Sequence, residues 1–482
     1  MSRLPLNQAL ELPPEQMREL GYRVVDLLVD HFTTLPDQRV VRLPSRAELE
    51  RRLRQSVPET GRPPAEVLAQ LAEDVLPFVT RTNHPRFFAF VPVPGNYVSA
   101  MADALVAGFG TFAGTWFGGA ASAELEILTI DWLRELCGLP ESAFGLFVSG
   151  GSMANLTALA AARHHYLGDD PRGAVVYCSD QTHSAVERAL RVLGFGREQI
   201  RKLESDSAFR LPLPSLARAL DGDRAAGRRP FCVVANAGTT NTGAVDPLAE
   251  LSALCRRERL WLHVDGAYGA PAVITEPGRR LLAGLEEADS LALDPHKWLF
   301  QPPEMGCVLL REGRQLRETF RILPEYLKDV ERGEEEVNFC DYGIQLTRSF
   351  RSLKLWMSLQ VFGLDAFRQA VARGIELAEL AERWLRRSPG WEVVTPAQLG
   401  VVTFRFRPPG VAEEELDAFT RAMIDAIVAD GFAGISSTAL RGRTVARFCT
   451  CNPRTTDQDI EFTLEKMQAL ALERLEAETT RR

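Results

Sequence analysis

The sequence has no Cys-x-x-Cys pair and no cysteine spacing that would clasp zinc. Its eight cysteines, Cys137, Cys178, Cys232, Cys255, Cys307, Cys340, Cys449 and Cys451, are scattered. Most lie in apolar runs such as VVYCS, FCVVA and GCVLL, where cysteine behaves as a small core residue. That usage argues against a disulfide scaffold and suits a reducing, cytoplasmic compartment. Histidine is scarce, seven in 482 residues, with no HxxxH or HxE spacing, so no metal site is expected. Positive charge is not in excess. The formal net charge is −8, which gives no electrostatic reason to expect nucleic acid or an anionic membrane as partner. The Walker loop, GxGxxG and the GxSxG elbow are missing, which disfavours those nucleotide sites and a serine hydrolase. The N-terminus MSRLPLNQALELPPEQ lacks the basic-then-apolar pattern of a signal peptide.

One uncharged run, Ala104 to Ala123, is long enough to span a bilayer. It holds glycines 108, 110, 114, 118 and 119 and is bordered by Asp103 and Glu124 rather than by basic residues. It reads as closely packed helix and loop inside a soluble protein.

What is present is ordinary globular composition, 45% hydrophobic and 25% charged. Residues 15–80 carry helical spacing, as in MRELGYRVVDLLVDHFTTL, and form an amphipathic arm. Beyond it, short apolar runs alternate with helices: FGLFVS, GAVVYCS, FCVVANA, WLHVD, SLAL and GCVLLR. That alternation predicts an α/β domain with a mainly parallel sheet covered on both faces. Towards the C-terminus, VVTFRFRPPG, EEELDAFTRAMIDAIVADG and TVARFCTCNP read strand–helix–strand, before a last helix near Thr456. The expected division is a helical arm at 1–84, a large α/β domain at 85–370 and a small α+β domain at 371–482. The charge run KDVERGEEE, 328–336, is expected as a solvated loop.

Ligands of open parallel sheets bind beyond the carboxyl ends of the strands. FGLFVS is followed there by Gly150, Gly151 and Ser152 and then a helix, a start that suits either a plain cap or an anion. VVYCSD is followed by Thr182 and His183, and VVANA by Gly238, Thr239 and Thr240. WLHV ends in Asp265, with Gly266 and Ala267 after it, and SLAL ends in Asp294-Pro295-His296-Lys297. A lysine, an acid, a histidine and a glycine-serine helix start suit a flat pyridine cofactor bearing a phosphate. Lys297 would bond its aldehyde carbon, Asp265 its ring nitrogen, His183 would stack on the ring, and Gly151 and Ser152 would hold the phosphate.

The blocks HPRFFAF, ASAELEILTIDWL, SDQTHSAVERA, AGTTNTGAVDPL, WLHVDGAYGAPAV, DPHKWL and FRSLKLW resemble, in order and spacing, those of the group II pyridoxal-phosphate decarboxylases. This family includes aromatic-L-amino-acid, histidine, tyrosine and glutamate decarboxylases. The resemblance implies the aspartate aminotransferase-like fold, known as fold-type I. It implies pyridoxal 5′-phosphate as cofactor and a homodimer with its active site at the subunit interface. Lys297 then resembles the Schiff-base lysine, Asp265 the pyridinium partner, Ala267 the small residue under the ring and His183 the stacking histidine. Gly151, Ser152 and Ser290 resemble phosphate-site residues. Thr240, Asp246, Asp294 and His296 are further cofactor-site residues, and Arg447 matches a C-terminal-domain arginine. Asp294 departs from the asparagine of many members. Thr82, Phe90, Val91, Pro92, Val93 and Phe112 are expected at the substrate; Thr82 departs from the tryptophan that aromatic decarboxylases often carry there, and the apolar wall of Phe90, Val91, Pro92 and Phe112 favours an apolar or aromatic substrate.

The loop near 328–345 is expected to cover the partner's site. Counted back without gaps from FRSLKLW, Phe339 stands where animal and plant members have a catalytic tyrosine. With the DY pairs aligned, Tyr342 stands there instead. Tyr342 as proton donor implies a plain decarboxylase. Phe339 in that place implies an aldehyde synthase that consumes oxygen. A transaminase or a non-catalytic binding protein are further readings, although Lys297 and Asp265 are both present.

Overall fold

The computed structural model describes residues 10–168, 170–322, 335–409 and 411–481. The N-terminal arm is α1 (Pro14–Thr34), α2 (Arg46–Leu53) and α3 (Pro64–Asp74). No residue of α1 is buried, although Tyr22, Val24, Val25 and Val29 lie along it. The uncharged run is divided between α4 (Tyr97–Phe109) and α5 (Trp116–Leu136), with a turn between them. Gly110 closes α4 at φ 59°, a left-handed conformation that glycine adopts without steric cost. Among the described residues no helix is long and apolar enough to cross a membrane.

The main sheet is assembled from β1 (Phe144–Val148), β2 (Ala174–Ser179), β3 (Ile200–Leu203), β4 (Arg229–Asn236), β5 (Trp261–Asp265), β6 (Ser290–Leu293) and β7 (Gly306–Leu310). Between them lie α6 (Gly151–Leu167), α7 (Ser184–Val192), α8 (Leu213–Ala225), α9 (Leu248–Glu258) and α10 (Glu276–Leu281). The strand order is β1-β7-β6-β5-β4-β2-β3. Only β7 runs against its neighbours. The carboxyl ends of β1, β2, β4, β5 and β6 therefore share one edge. Helices cover both faces, so the central strands are buried on both sides: β2, β5 and β6 have no exposed residue.

After β7 come α11 (Arg314–Phe320) and α12 (Ser352–Arg387), the latter bent at Gly363, where φ is 74°. Of the loop expected at 328–345, residues 328–334 lie outside the described residues. The C-terminal part is an antiparallel sheet of β8 (Trp391–Gln398), β9 (Val401–Phe406), β10 (Ser436–Leu440) and β11 (Arg443–Cys449), in the order β10-β11-β9-β8. It is packed by α13 (Leu416–Asp430) and α14 (Asp457–Arg481) around Phe404, Phe419, Met423, Phe448 and Leu464. This large, mostly parallel sheet with a small antiparallel one is the fold-type I arrangement. All eight cysteines are buried and unpaired.

Candidate active site

The shared strand edge opens into a cavity of about 480 Å³. It is lined by Ser149 to Met153, from the end of β1 into α6, by His183, by Gly238 to Thr240, by Asp265 and Ala267, and by Asp294, His296 and Lys297. Each group arrives from a separate strand end, so a rigid sheet fixes their spacing. Lys297 Nζ lies 2.9 Å from Asp294 Oδ2. Burial alone would pull the lysine down. The Asp294 carboxylate reverses this by charge and hydrogen bond, helped by Asp265, and the ammonium stands above its ordinary pKa. The turn that carries Lys297 is pinned from behind. His296 donates from Nδ1 to the Met305 carbonyl at 2.8 Å, and burial holds that ring below its usual pKa. The Trp298 ring stacks on Tyr268 with centroids 5.1 Å apart.

His183 caps α7, its Nδ1 accepting from the Ala185 amide at 3.2 Å. Asp265 accepts from the Ala267 amide and from Asn155 Nδ2, both at 3.2 Å. At Gly151 an added Cβ would stand 2.8 Å from Asp294 Oδ2 and 3.0 Å from Ala267 Cβ. Only glycine leaves that space, and the amides of a helix start point out of it. A cradle for an anion, an acid for a ring nitrogen, a small floor at Ala267 and a lysine thus share one cavity. The residues fit pyridoxal phosphate.

Two residues expected at the cofactor do not line the cavity. Ser290 begins β6, whereas Lys297 follows its end, so the serine sits about 10 Å deeper along the strand. Its hydroxyl is engaged by Trp261 and His263. Asp246 is buried and accepts from the Leu211 and Asn236 amides, each at 2.7 Å, and from Asn236 Nδ2 at 2.9 Å. Burial pushes it up to about 6. It holds Asn236, which does line the cavity.

The expected substrate wall is divided. Phe90 and Val91 line the Lys297 cavity. Thr82 and Val93 line a second cavity of about 540 Å³ against α1 and α3. Pro92 is buried beside it in sequence, and Phe112 packs over Gly114 and Gly118. Phe339 and Tyr342 are likewise outside the Lys297 cavity. Both rings pack on Phe144, at 5.9 and 5.3 Å between centroids, because β1 starts at the opposite edge from the cavity. Arg447 donates to the Phe90 carbonyl at 2.6 Å and so anchors the cavity rim. Sequence reasoning missed Asn155, Asn236, Tyr268 and Glu304. Asn155 was within reach, since it follows Gly151 by four residues on one helix face.

Residues 47–407 match the family model described as the pyridoxal-dependent decarboxylase conserved domain. The chain belongs to the pyridoxal-dependent decarboxylase family. It is a carboxy-lyase whose cofactor is pyridoxal phosphate. It is 49% identical to an aromatic-L-amino-acid decarboxylase of Bacillus atrophaeus, over 97% of this chain and 98% of that one. It is 33% identical to a phenylacetaldehyde synthase of Arabidopsis thaliana, over 93% and 94%. Among solved structures, that of Oryza sativa TDC with PLP and tryptamine superposes with a TM-score of 0.91 at 28% identity, covering 98% of this chain and 99% of that one.

Proposed function

We propose that this decarboxylase acts on an aromatic L-amino acid, releasing CO2 and the aromatic amine. The observation that carries the reading is the convergence of Lys297, Asp265 and His183 on one cavity whose rim is Phe90 and Val91. The extent of the likeness to the Bacillus atrophaeus enzyme supports the aromatic class.

Pyridoxal phosphate, when bound, supplies an electron-accepting pyridinium ring for the pair left behind by CO2. Asp265 would face that ring's nitrogen. Gly151, Ser152 and the N-terminus of α6 would hold the phosphate, and Thr240 and Ala267 would bound the ring. Lys297 rests as an ammonium paired with Asp294 and must lose a proton before its nitrogen can attack a carbonyl; Asp294 is the adjacent acceptor. His183 would face the ring and orient the substrate. Tyr342 is the group we assign to protonate Cα. It packs edge-on to Phe144 outside its own chain's cavity, so in this reading it would act on the cavity of a partner in a homodimer. The exposed apolar side chains of α1 support the same dimer. We read the chain as an arm (1–84), a cofactor domain (85–370) and a C-terminal domain (371–482). Eight unpaired cysteines support a cytoplasmic setting.

The test is a panel of L-amino acids, aromatic, acidic and imidazole-bearing, scored for CO2, amine, aldehyde and oxygen uptake together. Aromatic substrates should give amine and CO2 in equal amounts without oxygen uptake. Aldehyde with oxygen uptake would favour the aldehyde-synthase reading, which rests on Phe339 and on the likeness to the Arabidopsis thaliana synthase. Tyr342→Phe should lower the amine yield; an unchanged yield removes Tyr342 as the acid.

A further inference from the structure

Beneath the cavity floor, buried side chains link β5, β6 and α6 in a single file. Trp261, His263 and Asp265 alternate along β5 and share one sheet face. Ser290 pairs with His263 on β6, and Asn155 comes from α6, which packs over both strands. None of the five is more than 7% exposed. The Trp261 indole donates to Ser290 Oγ at 2.8 Å. Ser290 Oγ lies 2.8 Å from His263 Nδ1, His263 Nε2 lies 2.6 Å from Asn155 Oδ1, and Asn155 Nδ2 donates to Asp265 Oδ2 at 3.2 Å.

The direction of this file follows from its Asp265 end. The Asn155 amide turns its N–H to the Asp265 oxygen, so its own oxygen faces His263 and can only accept. His263 therefore carries its proton on Nε2 and donates to the Asn155 oxygen. On the neutral ring Nδ1 is then an acceptor, and the serine proton goes to it. The Ser290 oxygen accepts from the Trp261 indole N–H, which can only donate. In the reverse direction the Asn155 oxygen would face a carboxylate, and the serine proton would have no partner in the file. Burial, only partly opposed by Asp265, holds His263 down to about 4, so the ring stays neutral near pH 7.

We propose that Trp261, Ser290, His263 and Asn155 form a one-way hydrogen-bond relay that holds the Asp265 carboxylate in place as an acceptor, with Asn155 and His263 as positioning residues for the reaction. The proposal rests on the reading that Asp265 faces the ring nitrogen of pyridoxal phosphate. The Asn155 N–H and the Ala267 amide together fix how the Asp265 carboxylate is turned. The relay would thereby set the orientation in which that carboxylate meets the ring nitrogen as a hydrogen-bond acceptor.

The test compares binding of pyridoxal phosphate with binding of its 1-deaza analogue, which has carbon in place of the ring nitrogen. Full-length wild type, Asp265→Asn, Asn155→Leu and Ser290→Ala are stripped of cofactor and titrated with each ligand. Wild type should prefer the ring with nitrogen, and Asp265→Asn should lose that preference. Asn155→Leu should reduce the ratio of affinities by about tenfold or more, and Ser290→Ala by roughly threefold. A packing defect weakens both ligands together and leaves the ratio alone, so the ratio separates positioning from structure. Should Asn155→Leu fail to fold, the smaller change at Ser290 carries the test. If Asp265→Asn loses the preference while the relay variants keep it, the relay is overturned. If Asp265→Asn keeps it, the reading of Asp265 falls, and the relay falls with it.

Discussion

In its proposed role, Lys297 combines two demands that oppose each other. It would have to be held beside the cofactor, and it would have to leave its resting partner. The 2.9 Å contact with Asp294 serves the first, and the strand end and the Trp298–Tyr268 stack keep it in register. Lys297→Ala should therefore abolish CO2 release while the phosphate cradle still binds cofactor. Borohydride should fix the cofactor to wild type and not to this variant. On the proposed reading, Asp265→Ala would remove the carboxylate opposite the ring nitrogen, and CO2 release should fall on the order of 10³-fold or more. A loss under about tenfold, measured as kcat, would make Asp265 a packing residue. These residues, with His183, were legible because each directly follows a recognisable strand. Ser290 was misplaced for a related reason: family spacing reports which strand a residue joins, not its depth along it. Asn155 went unread because the signal at the start of α6 was taken to end at Ser152, one helical turn too soon.

At the scale of elements, the opening of the main sheet depends on a charge pair that joins three segments. Arg348 and Glu126 are in contact with side chains 1% and 0% exposed. Glu126 also accepts from the Phe147 amide at 2.9 Å, and Arg348 donates to the carbonyls of Phe147 at 2.8 Å and Ala113 at 3.1 Å. The Arg348 guanidinium lies over the Phe339 ring, 4.9 Å from its centroid. Arg348→Met would leave Glu126 as an unpaired buried charge, at a cost of about 3–5 kcal/mol. The expected result is a large fall in the unfolding midpoint; a midpoint within a degree or two of wild type would rule the clamp out as a stabilising element. No sequence pattern exposes a pair so far apart along the chain. Local pattern also missed three strands at sheet edges. β3 carries Arg201 and Lys202 and has no buried residue, β8 has Pro396 within it, and β10 is mostly part-exposed. These three have one partner strand and little burial, so they lack the apolar run that made β2, β4 and β5 readable; β1 is also an edge strand but is buried, and its run FGLFVS was readable.

Over the whole molecule, the α/β alternation and the helical arm were legible because each periodicity spans many residues. The joining of distant buried groups was not, and those groups set the pH response. His263 is fully buried and pushed down to about 4, first by burial, with Asp265 and Ser290 opposing. Its unfolded value is near the ordinary 6.5, so the folded chain binds the proton less readily than the unfolded one. Its contribution to stability is complete above about pH 6.5 and is lost as pH falls towards 4, by roughly 3 kcal/mol at the limit. His84, also pushed down to about 4, acts in the same direction. Asp246, raised to about 6, acts in the opposite one, because the folded chain takes up its proton first as pH falls. A raw pH profile mixes these with other shifted groups, His296 among them. The difference between wild type and His263→Gln isolates one, since the others are common to both. Unfolding midpoints measured from pH 7.5 to 4.5 should show wild type losing stability faster than His263→Gln as the pH drops. The gap between the two should therefore shift in favour of the variant in acid. A gap independent of pH across that window would mean that His263 is not held neutral by the fold.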